Sequence, residues 1–215
     1  MGGAVPKQYL ELGGVPVLLR AIRPLTSHPD VCCTVVVLPL EDSAVPPSWL
    51  TPMIGDSLRI VAGGSARTDS VRAGLAALPP ACTIVLVQDG ARPLTRSETV
   101  SAVIATAREG FGAVAAVPLG DTLKEVRKEG TPLRVVRTVP REGLWRAQTP
   151  QGFPRPLLER ALARAARDGY TGTDDAELVE RAGGEITIVP DSPDNLKITT
   201  PADLDLARRL LDAGA

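Results

Sequence analysis

Apolar residues in this chain gather in short, nearly continuous runs with amphipathic stretches between them. The strongest runs are 31–39 (VCCTVVVLP), 58–62 (LRIVA), 82–88 (CTIVLVQ), 113–117 (AVAAV) and 185–189 (EITIV). Continuous rather than alternating apolar character is what strands buried on both faces require. Helical stretches fall between them. Residues 67–78 follow Ser65 as a possible cap, and 96–109 follow Thr95 with Glu98 three positions on. Residues 154–167 start at Pro154, 174–182 follow Thr173, and 201–213 have Thr200 as cap and Pro201 at the first helical position. Strands alternating with helices predict βαβ units, hence an α/β fold with a mostly parallel sheet and helices on both faces. Two regions break the rhythm. Residues 40–57 are Pro-rich and irregular. Residues 118–152 hold polar, β-prone sequence (TLKEV, LRVVRTV) and are too long for a crossover loop. They read as an arm that leaves the core and pairs with something outside it, such as a second subunit.

Composition narrows the class. A chain of 215 residues fits a single domain, 1–215, with the arm as an excursion. A hydrophobic fraction of 44% and a charged fraction of 23% describe a globular protein and exclude a disordered one. No apolar run has the length of a membrane span, and MGGAVPKQYL has no signal-peptide apolar region. A net charge of -1 argues against a nucleic-acid partner. Cys32, Cys33 and Cys82 form no disulfide framework; they read as buried strand residues of a cytosolic protein. The one histidine, His28, precedes a proline in a turn. It supports neither a catalytic triad nor a zinc site.

Open parallel sheets bind ligands beyond the carboxyl ends of their strands, so the residues there carry the candidate chemistry. AGGSARTDSV places Gly63 and Gly64 at a strand-to-helix turn, where the backbone admits a flat ring close by and the helix start offers free amides. The same pair also suits a plain tight turn. DGARP places Asp89 at a strand end, able to hold Mg²⁺ or a ribose hydroxyl, with Arg92 behind it to orient the carboxylate. Lysine is scarce: only Lys7, Lys124, Lys128 and Lys197 stand among 24 basic residues. Lys7 and Lys197 lie in uncharged surroundings and suit compact positive charges on phosphate, while Lys128 reads as solvated. In the arm, Arg141 and Thr149 could contact a phosphorylated substrate, and Trp145 could anchor a subunit interface.

Taken in order, VPKQYLELGGVPVL, GGSARTDSV, VQDGARP, LGDTLK, TVPREGLWRAQTPQGF, GTDDAELVERAGG and DNLKITTPADL cover nearly the whole chain. Together they resemble the 2-C-methyl-D-erythritol 4-phosphate cytidylyltransferases. The resemblance implies a Rossmann-like nucleotidyltransferase fold, a homodimer that exchanges arms, and Mg²⁺-dependent reaction of CTP with a polyol phosphate. It implies that Lys7 and Lys197 act on the phosphates and that Gly63, Gly64 and Ser70 lie against cytosine. Asp89 would hold ribose or metal. Arg92, Thr122, Arg141 and Thr149 would serve the sugar phosphate, with Arg141 and Thr149 reaching across the dimer. The sister reaction on ribitol 5-phosphate, and a nucleotide-binding module without turnover, are the alternatives. One departure stands out. The family begins further upstream, with a central strand and a Gly-rich loop of which Met1-Gly2-Gly3 resembles the tail. The expectation is a start placed too late rather than a crippled enzyme. A sheet open at that position would expose unpaired backbone groups, each costing about 1–3 kcal/mol if buried.

Overall fold

A computed structural model describes residues 6–127 and 132–214. Met1-Gly2-Gly3 and Lys128 lie outside the described residues. The chain opens with a 3-10 turn, Lys7–Tyr9, and a small hairpin, β1 (Glu11–Leu12) and β2 (Val15–Pro16). Helix α1 (Val17–Thr26), strand β3 (Thr34–Leu38), the short helix α2 (Leu40–Ala44), β4 (Leu58–Ala62) and α3 (Arg67–Ala77) follow. Then come β5 (Ile84–Val87), α4 (Ser97–Arg108), β6 (Gly112–Pro118), β7 (Leu123–Arg127), β8 (Arg134–Val139) and β9 (Trp145–Pro154). The chain closes with α5 (Arg155–Asp168), α6 (Asp175–Arg181), β10 (Ile186–Pro190) and α7 (Pro201–Asp212).

Four strands form the main sheet in the order β10–β6–β9–β5. Strands β6 and β10 are parallel, but β9 runs antiparallel to both its neighbours. The sheet is therefore mixed. The sequence reading missed β9 because WRAQTPQGFP is polar and carries two prolines, features that resemble a loop. Strands β3 and β4 pair in parallel as a separate ribbon. Among the described residues no strand joins β3 to β5, and residues of both line a cleft of about 450 Å³. The opening expected at that position is present.

Alternate strand residues face opposite layers, as the period of two demands. Val85, Val114 and Phe153 meet α5 and α6 on one face. Ala113, Ala115 and Val189 meet Val103 of α4 on the other. Helices α1 and α3 bridge the divide: Leu18 and Ile22 pack on Val36, Leu25 meets α4, and Leu75 belongs to the core with Val85. The sequence reading assigned no helix at 17–26, where Pro24 conceals an amphipathic spacing of Val17, Leu18, Ala21, Ile22 and Leu25.

Local signals held unevenly. Thr200 caps α7 as expected: its hydroxyl accepts from the Asp203 amide at 3.3 Å, and the Asp203 carboxylate accepts from the amides of Thr199 and Thr200. The Thr199 hydroxyl, which donates to Asp203 Oδ2 at 2.6 Å, and the two amides hold the Asp203 carboxyl down at about 2. Ser65 and Thr95 are not caps; the N-cap positions are Ala66 and Arg96. Thr95 instead binds the Arg92 carbonyl and the Asn195 side chain. Asp174, rather than Thr173, caps α6. Cys32 and Cys82 precede their strands instead of lying in them, and Cys32 is exposed.

The hairpin β7–β8 is exposed along nearly its whole length, and it carries apolar Leu123, Val126, Val135 and Val136 into solvent. Residues 119–127 and 132–144 thus leave the core, while 148–153 return to it buried within β9.

Replacing Thr200 by Ala should lower stability by about 1 kcal/mol through loss of the cap. Urea unfolding followed by circular dichroism measures this.

Candidate active site

Asp89 stands at the carboxyl end of β5 and accepts two cations on one oxygen. Lys197 Nζ lies 3.1 Å from Asp89 Oδ2 and Arg92 Nε lies 3.2 Å from it. Burial pushes the Asp89 carboxyl up, but Lys197 and Arg92 outweigh it and hold the group below the usual carboxylate range. Arg92 is itself buried, and its Nη1 donates to the Asn195 carbonyl at 2.7 Å. It therefore orients Asp89 and the loop before α7.

Thr149 donates nothing outward: its Oγ1 accepts the Asp89 amide at 3.0 Å within its own chain. Strand β9 is held between β5 and β6, which sets Thr149 beside Asp89 of its own chain. Arg141 and Thr122 lie on the exposed arm, where the Arg141 guanidinium donates to the Gly120 carbonyl. No hydrogen bond or ion pair joins either to the Asp89 cluster in this protomer.

Gly63 and Gly64 turn the chain from β4 into α3. The Gly64 amide donates to Ser70 Oγ at 3.2 Å, and that hydroxyl donates to the Ala66 carbonyl. A Cβ on Gly64 would fall 2.3 Å from Asp69 Cβ, so the turn admits no side chain there. Tight packing and backbone access to a ligand thus impose the same residue. The next residues extend the site: Arg67 Nη2 meets the fully buried Asp175 carboxylate at 2.6 Å, tying α3 to α6. Burial pushes the Asp175 carboxyl up, and the Arg67 ion pair only partly offsets it.

Asn195 is the residue that sequence reasoning missed. Its Nδ2 donates to the Thr149 carbonyl at 2.8 Å and to Asp191 Oδ2 at 2.7 Å. Its Oδ1 accepts from Thr95, and its backbone carbonyl accepts from Arg92 and Gln148. Gln151 does similar work for α6, bonding Asp174 Oδ2 and the Ala176 amide. Both amides lay in quoted motifs, and burial of a polar side chain is the property a sequence does not display.

Lys7 opens the first 3-10 turn and makes no hydrogen bond or ion pair with the Asp89 cluster. The core nevertheless sets its segment beside that of Lys197. Leu10 and Leu12 pack with Leu94, Leu196, Ile198 and Leu204 in one apolar cluster. Lysines three residues from Leu10 and between Leu196 and Ile198 share that foundation.

A carboxylate flanked by cations, one of them a lysine, at the carboxyl end of a strand and a glycine turn at a helix start define a nucleotidyltransferase-type site. The sequence profile of the family described as IspD, 2-C-methyl-D-erythritol 4-phosphate cytidylyltransferase, matches residues 1–213, and this chain belongs to that family. The enzyme of that name from Acidobacterium capsulatum is 44% identical over 204 residues, covering 94% of this chain and 85% of that protein. The crystal structure of the enzyme from Thermus thermophilus superposes with a TM-score of 0.82 at 35% identity, covering 96% of this chain and 94% of that one. The synthase structure from Anaerococcus prevotii gives a TM-score of 0.85 at 26% identity, covering 98% and 92%.

Truncating Asn195 to Ala should leave the Thr149 carbonyl and Asp191 Oδ2 without their Asn195 donor, at about 1–3 kcal/mol for each buried group left unpaired. A urea midpoint well below that of the native chain is the expected result.

Proposed function

We propose that this chain transfers the cytidylyl group of CTP to 2-C-methyl-D-erythritol 4-phosphate and releases pyrophosphate. The observation that carries the reading is the Lys197–Asp89–Arg92 cluster on the same apolar base as the Lys7 segment. Membership of the cytidylyltransferase family supports it. An oxygen of the substrate phosphate attacks the α-phosphorus of CTP in line. A new P–O bond forms, and the bond from the α-phosphorus to the bridging oxygen breaks. The attacking oxygen is already anionic near neutral pH, so no general base is needed. What the protein must supply is position and positive charge. Lys7 and Lys197 supply that charge at the phosphates. Lys197 is held by Asp89, and Asp89 by Arg92, so the ammonium is placed before substrate arrives. The glycine turn and Ser70 offer the cytosine ring a flat backbone surface.

Among the described residues no cluster of three potential metal ligands occurs. Magnesium needs no such cluster, since one carboxylate with phosphate oxygens and water suffices. Asp89 fits that role because both its cation contacts fall on Oδ2. When bound there, the ion would add charge neutralisation on the triphosphate. The exposed apolar hairpin is the homodimer surface of this proposal, and Arg141 on it is the residue placed to reach a partner's substrate. Three free thiols suit a cytosolic setting. Among the described residues no helix is long and apolar enough to cross a membrane, and a net charge of -1 favours small-molecule substrates over nucleic acid.

The assay is pyrophosphate release with CTP and Mg²⁺. Release is expected with methylerythritol 4-phosphate and not with ribitol 5-phosphate. The Lys197→Ala and Lys7→Ala variants should each lose about 10²–10³ in kcat, the cost of removing one transition-state charge partner. Release with ribitol 5-phosphate alone would reassign the acceptor, and CTP retention without turnover would leave a binding module.

Glutamate at both Val135 and Val136 should convert a dimer to monomer in sedimentation velocity without unfolding it, since both side chains are exposed in the single chain.

A further inference from the structure

Lys197 is held through its own side chain, which pairs with Asp89. Lys7 is placed by other means. It opens a 3-10 turn of three residues, closed by the Tyr9 amide on the Pro6 carbonyl at 2.9 Å and the Leu10 amide on the Lys7 carbonyl at 3.3 Å. A single hydrogen-bonded turn is not stable by itself, so its neighbours decide where Lys7 stands. Two adjacent side chains anchor it in separate clusters. Leu10 packs with Leu196 and Ile198. Tyr9 packs into the cluster that holds Leu18, Val36 and Leu50. The Tyr9 ring meets Trp49 edge-on, with centroids 5.8 Å apart and planes at 68°. Its hydroxyl donates to Asp42 Oδ2 at 2.6 Å, across 33 positions of sequence. A hydrogen bond to a carboxylate is stronger than one between neutral groups. Burial, and then the bond and charge of Asp42, push the Tyr9 phenol above its ordinary value, so it remains a donor through neutral pH. Asp42 lies in α2, and Trp49 and Leu50 follow it in the irregular stretch 40–57. Pro46, Pro47 and Pro52 restrict the backbone of that stretch.

We propose that Tyr9 and Asp42 are positioning residues for Lys7, and that the stretch 40–57 is the brace that sets the Lys7 ammonium at the phosphates of CTP. The inference rests on the reading of Lys7 as a phosphate charge in cytidylyl transfer. Tyr9 touches no reacting atom; it acts through the backbone of the turn it shares with Lys7. Freeing its ring loosens the base of the Lys7 side chain and leaves the charge itself in place. Positioning matters at this scale, since a displacement of about 1 Å can cost on the order of 10²-fold in rate. Leu10 alone does not fix the turn, because one apolar contact leaves it free to rotate about that anchor. Tyr9 supplies the second anchor, and its hydrogen bond to Asp42 gives that anchor a direction as well as a depth. The stretch 40–57 thereby gains a purpose that its sequence, lacking any periodic pattern, does not display.

The experiment measures steady-state pyrophosphate release by the full chain with CTP, Mg²⁺ and methylerythritol 4-phosphate. Tyr9→Phe and Asp42→Ala should each lose about tenfold in kcat, with KM for CTP little moved. The two changes together should cost no more than either alone, because they break one bond. Asp42→Asn keeps an acceptor oxygen and should recover most of the loss seen in Asp42→Ala. In a Lys7→Ala chain, Tyr9→Phe should cost nothing further, a result that general destabilisation would not give. Hydrogen exchange followed by mass spectrometry reads the brace without turnover. Amides of residues 6–12 should exchange faster in Tyr9→Phe, while those of β6 and α5 keep the native rate. An undiminished effect of Tyr9→Phe in the Lys7→Ala chain, a loss confined to KM, or unchanged exchange over 6–12 would each overturn the proposal. A native chain that releases no pyrophosphate fails the assigned function instead, and the exchange measurement then decides the brace.

Discussion

Asn195 is 1% exposed, and its amide group and carbonyl meet five partners from three segments of the chain. It fixes the loop that carries Lys197 against the end of β5, where Asp89 stands, and against β9, where Thr149 stands. A buried amide is stable only when its donors and acceptors are satisfied, and here they are. The same satisfaction makes the loop rigid. Lys197 therefore meets Asp89 at a fixed place, although its own side chain is 42% exposed. Charge placed before the substrate binds does not have to be reorganised during phosphoryl transfer.

Beneath this polar lattice lies an apolar one. Leu10, Leu12, Leu94, Leu196 and Ile198 gather the first and last lysine-bearing segments into one cluster, with α7 closing it. Burial of leucine and isoleucine side chains supplies the energy, and the two neighbours of Lys197, Leu196 and Ile198, are part of that surface. The buried Arg67–Asp175 pair has a different character. Asp175 Oδ1 finds no partner, so the pair costs desolvation and favours position over stability. It sets the start of α3, and with it the glycine turn, relative to α6.

The central cleft places unusual demands on the helices. Among the described residues sheet hydrogen bonds do not cross from β3 to β5, and α1 and α3 join the two parts through side-chain packing. The nucleotide-side elements are divided by it: the glycine turn belongs to the ribbon and Asp89 to the main sheet.

The sequence by itself determined the periodic elements. Strands at 58–62 and 113–117 and helices starting near 67, 97, 155, 175 and 201 follow from apolar runs, prolines and acidic caps, all local in the chain. It also carried the family, because ordered motifs over the whole length leave little room for coincidence. Only the tertiary structure decided the direction of β9, whose polar, proline-bearing sequence hides a central antiparallel strand. Only it set Thr149 against the Asp89 amide, showed Arg92 as a support for Asp89, and gave Asn195 its part. The physical reason is common to all three. A side chain's role depends on what surrounds it once it is desolvated, and those surroundings come from residues as many as 103 positions away.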